Sequence, residues 1–524
     1  LAAPDEAMTA QQQEQPPDAM QNPASDSPLT PRGEHRILYV SDPSSIVANF
    51  LPDPVTADSL RRWVDMLADS GVDIFQQDCF NQGFTVYWRS EQMPYDQRPQ
   101  HAKSLTMLDA GEQPLQVLLD RSHERGMTFI AGFRMNDNHS GEHYPRRAAF
   151  MDAHPEWLLP DPTLEKDDQR MLDFSFDGVR QFIFEVMEMV VDSFDVDGIE
   201  MTFREPMYFP PSQGTDRAPC LTELVQRLRD MLDEVGRARG RKLLLGARVY
   251  ATMQENLSLG LDVPTWITKD LIDYVSPMDP MYCNFNAGYA DFSELTRKSN
   301  CMLYPGTAPW TSWQARRRNQ IPAERLVAGR TNMTRSNYRA LAQTFYGGGA
   351  DGLSVYNHFV GGLYPPPYYP QALQVFYELR DLPRAARGDR HYIFEPPGDP
   401  DTITSALTER LVLDRESAQP SGIFRFQAFE QNDQVQVATL MLRGSLTLHD
   451  VVDVQLNGAT IAPGPFGKPD IKYQRPFPDI RWFPLPADAL AYGENQLSIT
   501  LTKADPDASG EIVIDEVELW VQPV

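Results

Sequence analysis

Basic side chains are in short supply. The 524 residues carry 47 Lys and Arg against 73 Asp and Glu, a formal net charge of −26 with histidine neutral. A nucleic-acid backbone or an anionic membrane surface demands a basic footprint, so neither is expected as the main partner. Long hydrophobic runs are missing as well: no stretch of about 18 apolar residues occurs, and no membrane span is expected. Cysteine is scarce, at Cys79, Cys220, Cys283 and Cys301, without a C-x-x-C pair. Zinc-site spacing is thereby excluded, and free buried thiols are the favoured expectation over a single disulfide.

Several motifs of other chemistries also fail. There is no G-x-S-x-G elbow for a serine nucleophile. His139-Ser140-Gly141-Glu142-His143 has H-x-x-E-H spacing, but Gly141 and the following Tyr144-Pro145 favour a loop over the helix such a zinc site requires. Gly347-Gly348-Gly349 precedes a predicted strand instead of joining strand to helix, which makes it a turn and not a phosphate cradle. The first predicted strand lacks the His-x-His pair of metal-dependent amidohydrolase barrels. No metal and no cofactor are expected.

What is present is a regular alternation. Residues 1–35, opening Leu1-Ala2-Ala3 and rich in Pro, Gln and Asp, are expected to form a disordered leader behind a trimmed N-terminus, and the protein is expected to be secreted or periplasmic. From residue 36 short apolar runs alternate with amphipathic ones about eight times. Strands are predicted at 37–42, 72–78, 127–136, 196–204, 242–250, 274–281, 301–307 and 352–358, with helices at 57–69, 114–125, 176–194, 221–239 and 337–346. This is the α/β pattern of a (β/α)8 TIM barrel over 36–390. After about residue 390 the pattern turns to strands alone, at 422–429, 434–443, 450–456, 481–485, 496–502 and 511–521, punctuated by Asn457-Gly458 and Ser509-Gly510. An all-β, jelly-roll-like sandwich is expected over 391–524.

The chemistry is expected where barrel strands end. In Asp197-Gly198-Ile199-Glu200-Met201-Thr202-Phe203-Arg204-Glu205-Pro206, a period of two sends Ile199, Met201 and Phe203 to one face and Glu200, Thr202 and Arg204 to the other. Three strands share a glycine followed two positions later by a charge: Gly132-Phe133-Arg134, Gly198-Ile199-Glu200 and Gly246-Ala247-Arg248. If those glycines lie at one depth, Glu200 faces inward between Arg134 and Arg248, and guanidinium neighbours favour its charged form. A charged carboxylate suits a nucleophile, a base or a charge stabiliser. Cleaving a glycosidic bond also requires a carboxylic acid held protonated. Glu205 is the first choice for that acid and Asp279, after the sixth strand, is its rival; Asp78, expected to bind substrate, and Asp42 stand at other strand ends. The competing reading is an Arg-Glu-Arg ion network that does no chemistry.

Polar groups for sugar hydroxyls are offered by Arg134, Asn136 and His139 after the third strand and by Asn357 and His358 after the eighth. Aromatic rings that could stack on sugars crowd the same loops: Tyr87-Trp88, Tyr208-Phe209, Tyr282, Trp310, Trp313, Tyr364 and Tyr368-Tyr369. Any one of these rings could equally be a packing residue. Arg134, Arg204 and Arg248 together suggest an anionic substrate, sulfated or uronic, matched by guanidinium forks.

The segments Arg36-Ile37-Leu38-Tyr39-Val40-Ser41-Asp42, His154-Pro155-Glu156-Trp157-Leu158-Leu159 and Phe194-Asp195-Val196-Asp197-Gly198-Ile199-Glu200 resemble bacterial (β/α)8 glycoside hydrolases of the glycosyl hydrolase-like group, related to family 10, over roughly 36–380. Val454-Gln455-Leu456-Asn457-Gly458 and Gly493-Glu494-Asn495-Gln496-Leu497 look like the jelly-roll sandwiches that accompany such barrels. The resemblance implies a glycoside hydrolase acting on a polysaccharide or oligosaccharide, with Glu200 as the matching carboxylate. Relatives commonly read Asp-Gly-Ile-Glu-x-Asp, where this chain has Thr202. Arg204-Glu205-Pro206 is similar to the Asn-Glu-Pro of the large retaining clan, yet the seventh strand offers Tyr304-Pro305-Gly306 and no Glu for that clan's nucleophile. Retaining and inverting mechanisms both stay open, as does a barrel that binds carbohydrate without cleaving it. The sequence gives no sign of oligomeric state.

Overall fold

The computed structural model describes residues 36–136, 149–160, 171–203, 207–279, 283–287, 289–308, 311, 333–356, 358, 371–394, 411–465, 481–486 and 488–524. Eight parallel strands form a ring: β1 (Arg36–Ser41), β2 (Ile74–Asn81), β3 (Thr128–Arg134), β4 (Gly198–Thr202), β5 (Leu244–Tyr250), β6 (Tyr274–Met278), β7 (Met302–Leu303 and then Gly306–Thr307) and β8 (Gly352–Tyr356). Each pairs with its successor, and β8 pairs with β1. Closure happens within β7, whose first half pairs with β6 and whose second half pairs with β8, on either side of Tyr304-Pro305.

The helices joining these strands cover the outside. Ala57–Asp69 starts at Thr56, whose hydroxyl and Ser59 form a reciprocal capping box, and its apolar stripe of Leu60, Trp63, Val64 and Leu67 is buried. Gly71, with φ +87°, ends that turn. The helix expected from Leu221 begins instead at Gly214 and runs through Pro219 to Arg239. Its first residue packs tightly, since a Cβ on Gly214 would lie 2.1 Å from the Ser258 carbonyl oxygen.

After the barrel, nine strands among the described residues build a β-sandwich: β9 (Arg390–Phe394), β10 (Leu411–Asp414), β11 (Ser421–Ala428), β12 (Val435–Gly444), β13 (Val451–Leu456), β14 (Ala459–Thr460), β15 (Arg481–Leu485), β16 (Gly493–Lys503) and β17 (Glu511–Pro523). One sheet runs β9-β17-β12-β15 with β10 also on β17; the other runs β11-β16-β13-β14. Phe424, Phe426, Leu497 and Ile499 from one sheet and Leu440, Leu442, Ile514 and Leu519 from the other are buried between them. Sequence patterning missed β9, β10 and β14. β9 is buried along its whole length and so carries no alternation, and the other two are short.

The sandwich is seated on the barrel. In helix Arg335–Gly347, Asn337 Nδ2 donates to His391 O at 2.8 Å and Gln343 Nε2 donates to Phe429 O at 2.6 Å. Arg390 grips Glu430 with two bonds of 2.7 Å while its other nitrogen donates to Ala386 O and Gly388 O. Among the described residues no helix is long and apolar enough to cross a membrane.

Candidate active site

Glycines make the barrel interior. Inward positions on adjacent strands compete for the same space, and here a glycine on one strand admits a large side chain from the next. A Cβ on Gly246 would lie 2.0 Å from the Tyr274 ring, one on Gly132 1.6 Å from Gln76 Nε2, and one on Gly352 2.3 Å from the Tyr304 ring. The polar side chains that fill the barrel depend on these vacated positions.

The register then fixes depth. Glu200 is level with Gly132 and Gly246, while Arg134 and Arg248 are level with Thr202, one layer nearer the strand ends. The expectation of three glycines at one depth therefore fails, because Gly198 lies two residues deeper than the other two. Arg248 bends back onto Glu200, donating from Nε to Oε1 at 3.0 Å and from Nη2 to Oε2 at 3.3 Å. Tyr274 OH donates to Oε2 at 3.0 Å and Thr202 Oγ1 to Oε1 at 3.2 Å. Glu200 thus accepts four hydrogen bonds, two on each oxygen. Both members of the ion pair are fully buried. Arg248 also donates to Ser276 Oγ at 3.0 Å and Ser354 Oγ at 2.8 Å, tying β4, β5, β6 and β8 together. Tyr274, Ser276 and Ser354 were not anticipated, although each shares the inward parity of its strand, which a period of two reveals once the strand is placed.

Asp78, near the end of β2, is the second carboxyl of the interior. It is buried and accepts from Gln76 Nε2 at 2.8 Å. Removal from water pushes it up to about 7 from an ordinary 3.8, against the Gln76 bond; the charges of Asp42 and Glu200 add to the rise and Arg134 opposes it. Asp279, just beyond β6, is likewise buried. Arg134 is half-buried at the end of β3. The described residues thus gather Asp78, Arg134, Glu200, Arg248 and Asp279 around the C-terminal ends of β2 to β6.

Other expected site residues are placed differently. Asn136 is committed to backbone, donating to Leu172 O and Met207 O at 3.1 and 2.9 Å and accepting from Leu172 N at 2.8 Å. Trp88 packs edge-on against Phe194 in the outer helical layer. His358 is fully buried, with Nδ1 2.9 Å from Tyr338 OH and its ring against Phe376. Tyr208 is a core ring between Phe174 and Phe203. His139, Arg204, Glu205, Tyr282, Trp310 and Asn357 lie outside the described residues. Among the described residues no group of three or more His, Cys, Asp or Glu could hold a metal ion, and the four cysteines are free thiols.

Residues 46–221 match the family model described as glycosyl hydrolase-like 10. No curated protein matches the chain. Among solved structures, similarity is found to a cycloisomaltooligosaccharide glucanotransferase from Paenibacillus sp., at 11% identity and TM-score 0.36, covering 92% of this chain and 57% of that one. An α-L-fucosidase isoenzyme 2 from Paenibacillus thiaminolyticus gives 11% identity, TM-score 0.40, and coverage of 68% and 51%. A maltogenic α-amylase from Thermotoga neapolitana gives 12%, 0.38, and 89% and 98%. This chain spans a little over half the length of the first two, and at these scores none of the three bears on the reaction.

Proposed function

We propose that this protein is a glycoside hydrolase, acting outside the cytoplasm, that cleaves a polysaccharide or oligosaccharide with carboxyl groups at the C-terminal mouth of its barrel. The observation that carries the reading is Asp78, a carboxyl buried in the barrel interior against Gln76 Nε2, where removal from water raises its pKa to about 7. Glycosidic cleavage requires one carboxyl that gives up a proton at working pH and another that is charged. Asp78 supplies the first. Asp279 is the favoured second, with Glu205 its rival; Glu200 acts through Arg248, whose guanidinium it fixes. The glycosyl hydrolase-like match over residues 46–221 supports the same class. If the substrate is anionic, its charge falls to Arg134 or Arg204 and not to Arg248, which is fully buried and bonded to Glu200, Ser276 and Ser354.

A second reading, a barrel that binds carbohydrate without cleaving it, is favoured by one observation: both oxygens of Glu200 are fully occupied and shut away from solvent. Reducing-end release from neutral, uronic and sulfated polysaccharides separates the two readings. The expected result is turnover of one class, with Asp78→Asn lowering kcat about 100-fold or more and Asp279→Asn or Glu205→Gln abolishing it. Glycan binding with no release anywhere on the panel favours the second reading, and full activity in Asp78→Asn removes Asp78 from the mechanism.

A further inference from the structure

The loop after β6 is gripped from two sides. On one side Cys283 fastens it to the chain just past β7: Ala308 N donates to Cys283 Sγ at 3.0 Å and the thiol donates to Ala308 O at 3.1 Å. On the other side the buried side chain of Asn286 behaves as one residue of a neighbouring strand. Its Oδ1 accepts from Gln427 N at 2.8 Å and its Nδ2 donates to Arg425 O at 2.9 Å. Those backbone groups belong to β11, an edge strand of the four-stranded sheet, whose outer N–H and C=O groups are open to a partner. Asn284 stiffens the turn by accepting from Asn286 N at 2.9 Å. Asp279 is only four positions ahead of Cys283, and its charge is felt at both Cys283 and Tyr289.

We propose that the sandwich is a working part of the barrel mouth, with Asn286 the positioning residue through which edge strand β11 sets the place of the β6 loop and of Asp279. The kinetic consequence rests on the reading of Asp279 as a reacting carboxylate; the mechanical coupling rests on geometry alone. A simple glue between domains would use side chains remote from the mouth. Here the amide that holds the sandwich sits on the same short loop as Asp279, three residues beyond the thiol that ties that loop to Ala308.

The test uses the full chain with Asn286→Ala and, separately, Gln427→Pro. The proline deletes the N–H that reaches Asn286 and stands on an edge strand, where proline is tolerated. Native protein is treated with N-ethylmaleimide, and modification at each cysteine is followed by peptide mass spectrometry. Cys283 is expected to react about twenty-five-fold faster in Asn286→Ala and about fivefold faster in Gln427→Pro, the scale of two and one lost hydrogen bonds. Cys79, buried in β2, should keep its rate. An unchanged Cys283 rate overturns the coupling, and so does a parallel rise at Cys79, which signals general loosening. On a glycan the wild type hydrolyses, Asn286→Ala should lower kcat about tenfold with KM within about twofold, as displacement of a reacting group requires; an unaltered kcat overturns the positioning role. If the wild type cleaves no glycan, the glycosidase reading fails by itself and the cysteine rates still decide the coupling.

Discussion

Asp78 has a carboxyl group that folding makes harder to ionise, and that has a definite sign in stability. Below about pH 3.8 the group is protonated in both folded and unfolded chains, so it contributes nothing. Between there and about 7 the unfolded chain releases the proton while the folded one retains it, and the folded state loses stability progressively; above about 7 the loss is constant. Asp78→Asn, which retains an oxygen for Gln76 Nε2, should therefore gain stability over wild type as pH rises from about 3 to about 8, as urea unfolding at the two values will show. Glu200 gives the opposite case. Replacing it with Gln leaves the Arg248 guanidinium buried without its counter-charge, and the expected loss is about 3 kcal/mol or more in the same measurement at pH 7. At this scale the sequence disclosed Glu200 and Arg248, whose strands carry a clear period of two. It did not disclose Tyr274, Ser276 or Ser354, because nothing in a strand's own sequence says which residues on other strands will meet its side chains.

Elements were easier to read than their contents. All eight barrel strands were visible as apolar runs between amphipathic stretches, and helix Ala57–Asp69 was visible to the residue because its capping box and terminal glycine bracket it. The inference about depth failed because a glycine in a barrel strand marks where a neighbour intrudes, and the intruder differs from site to site: Gln76 at Gly132, Leu244 at Gly198, Tyr274 at Gly246. Adding one methyl group at Gly246 drives it into the Tyr274 ring, which in turn holds Glu200. Gly246→Ala is expected to cost about 1–3 kcal/mol in urea unfolding. Strand β9 was missed for the converse reason, since a strand buried on both faces shows neither alternation nor a polar side.

On the scale of the whole molecule, barrel and sandwich share a seam of buried polar contacts. Arg390 holds Glu430 and the carbonyls of Ala386 and Gly388 together, and Gly347 lets the Phe429 ring lie against the helix end, where a Cβ would come within 2.2 Å of it. Two bodies joined this way should melt in one calorimetric transition. Glu430→Gln, which strands a buried guanidinium at the seam, should lower that transition by about 3 °C or more, at roughly 1 °C per kcal/mol for a chain of this size. A wild-type trace with two separated peaks would show the domains to be independent.

The divided seventh strand bears on how the ring resists opening. A barrel is a hoop, and a hoop is as strong as its weakest splice. Here the ladder of Met302 and Leu303 runs to β6 and that of Gly306 and Thr307 to β8, with Leu303 also exchanging two bonds of 2.9 Å with Asp351, just ahead of β8. The splice is carried across by the Tyr304 N–H on Val275 O, the Asp351 N–H on Leu303 O and the Ser354 N–H on Pro305 O, each 2.9 Å. Circumferential load therefore falls on those three amides, which should exchange their hydrogens ahead of any in β3 to β5. If the cylinder ever parts to admit something wider than its mouth, it parts there.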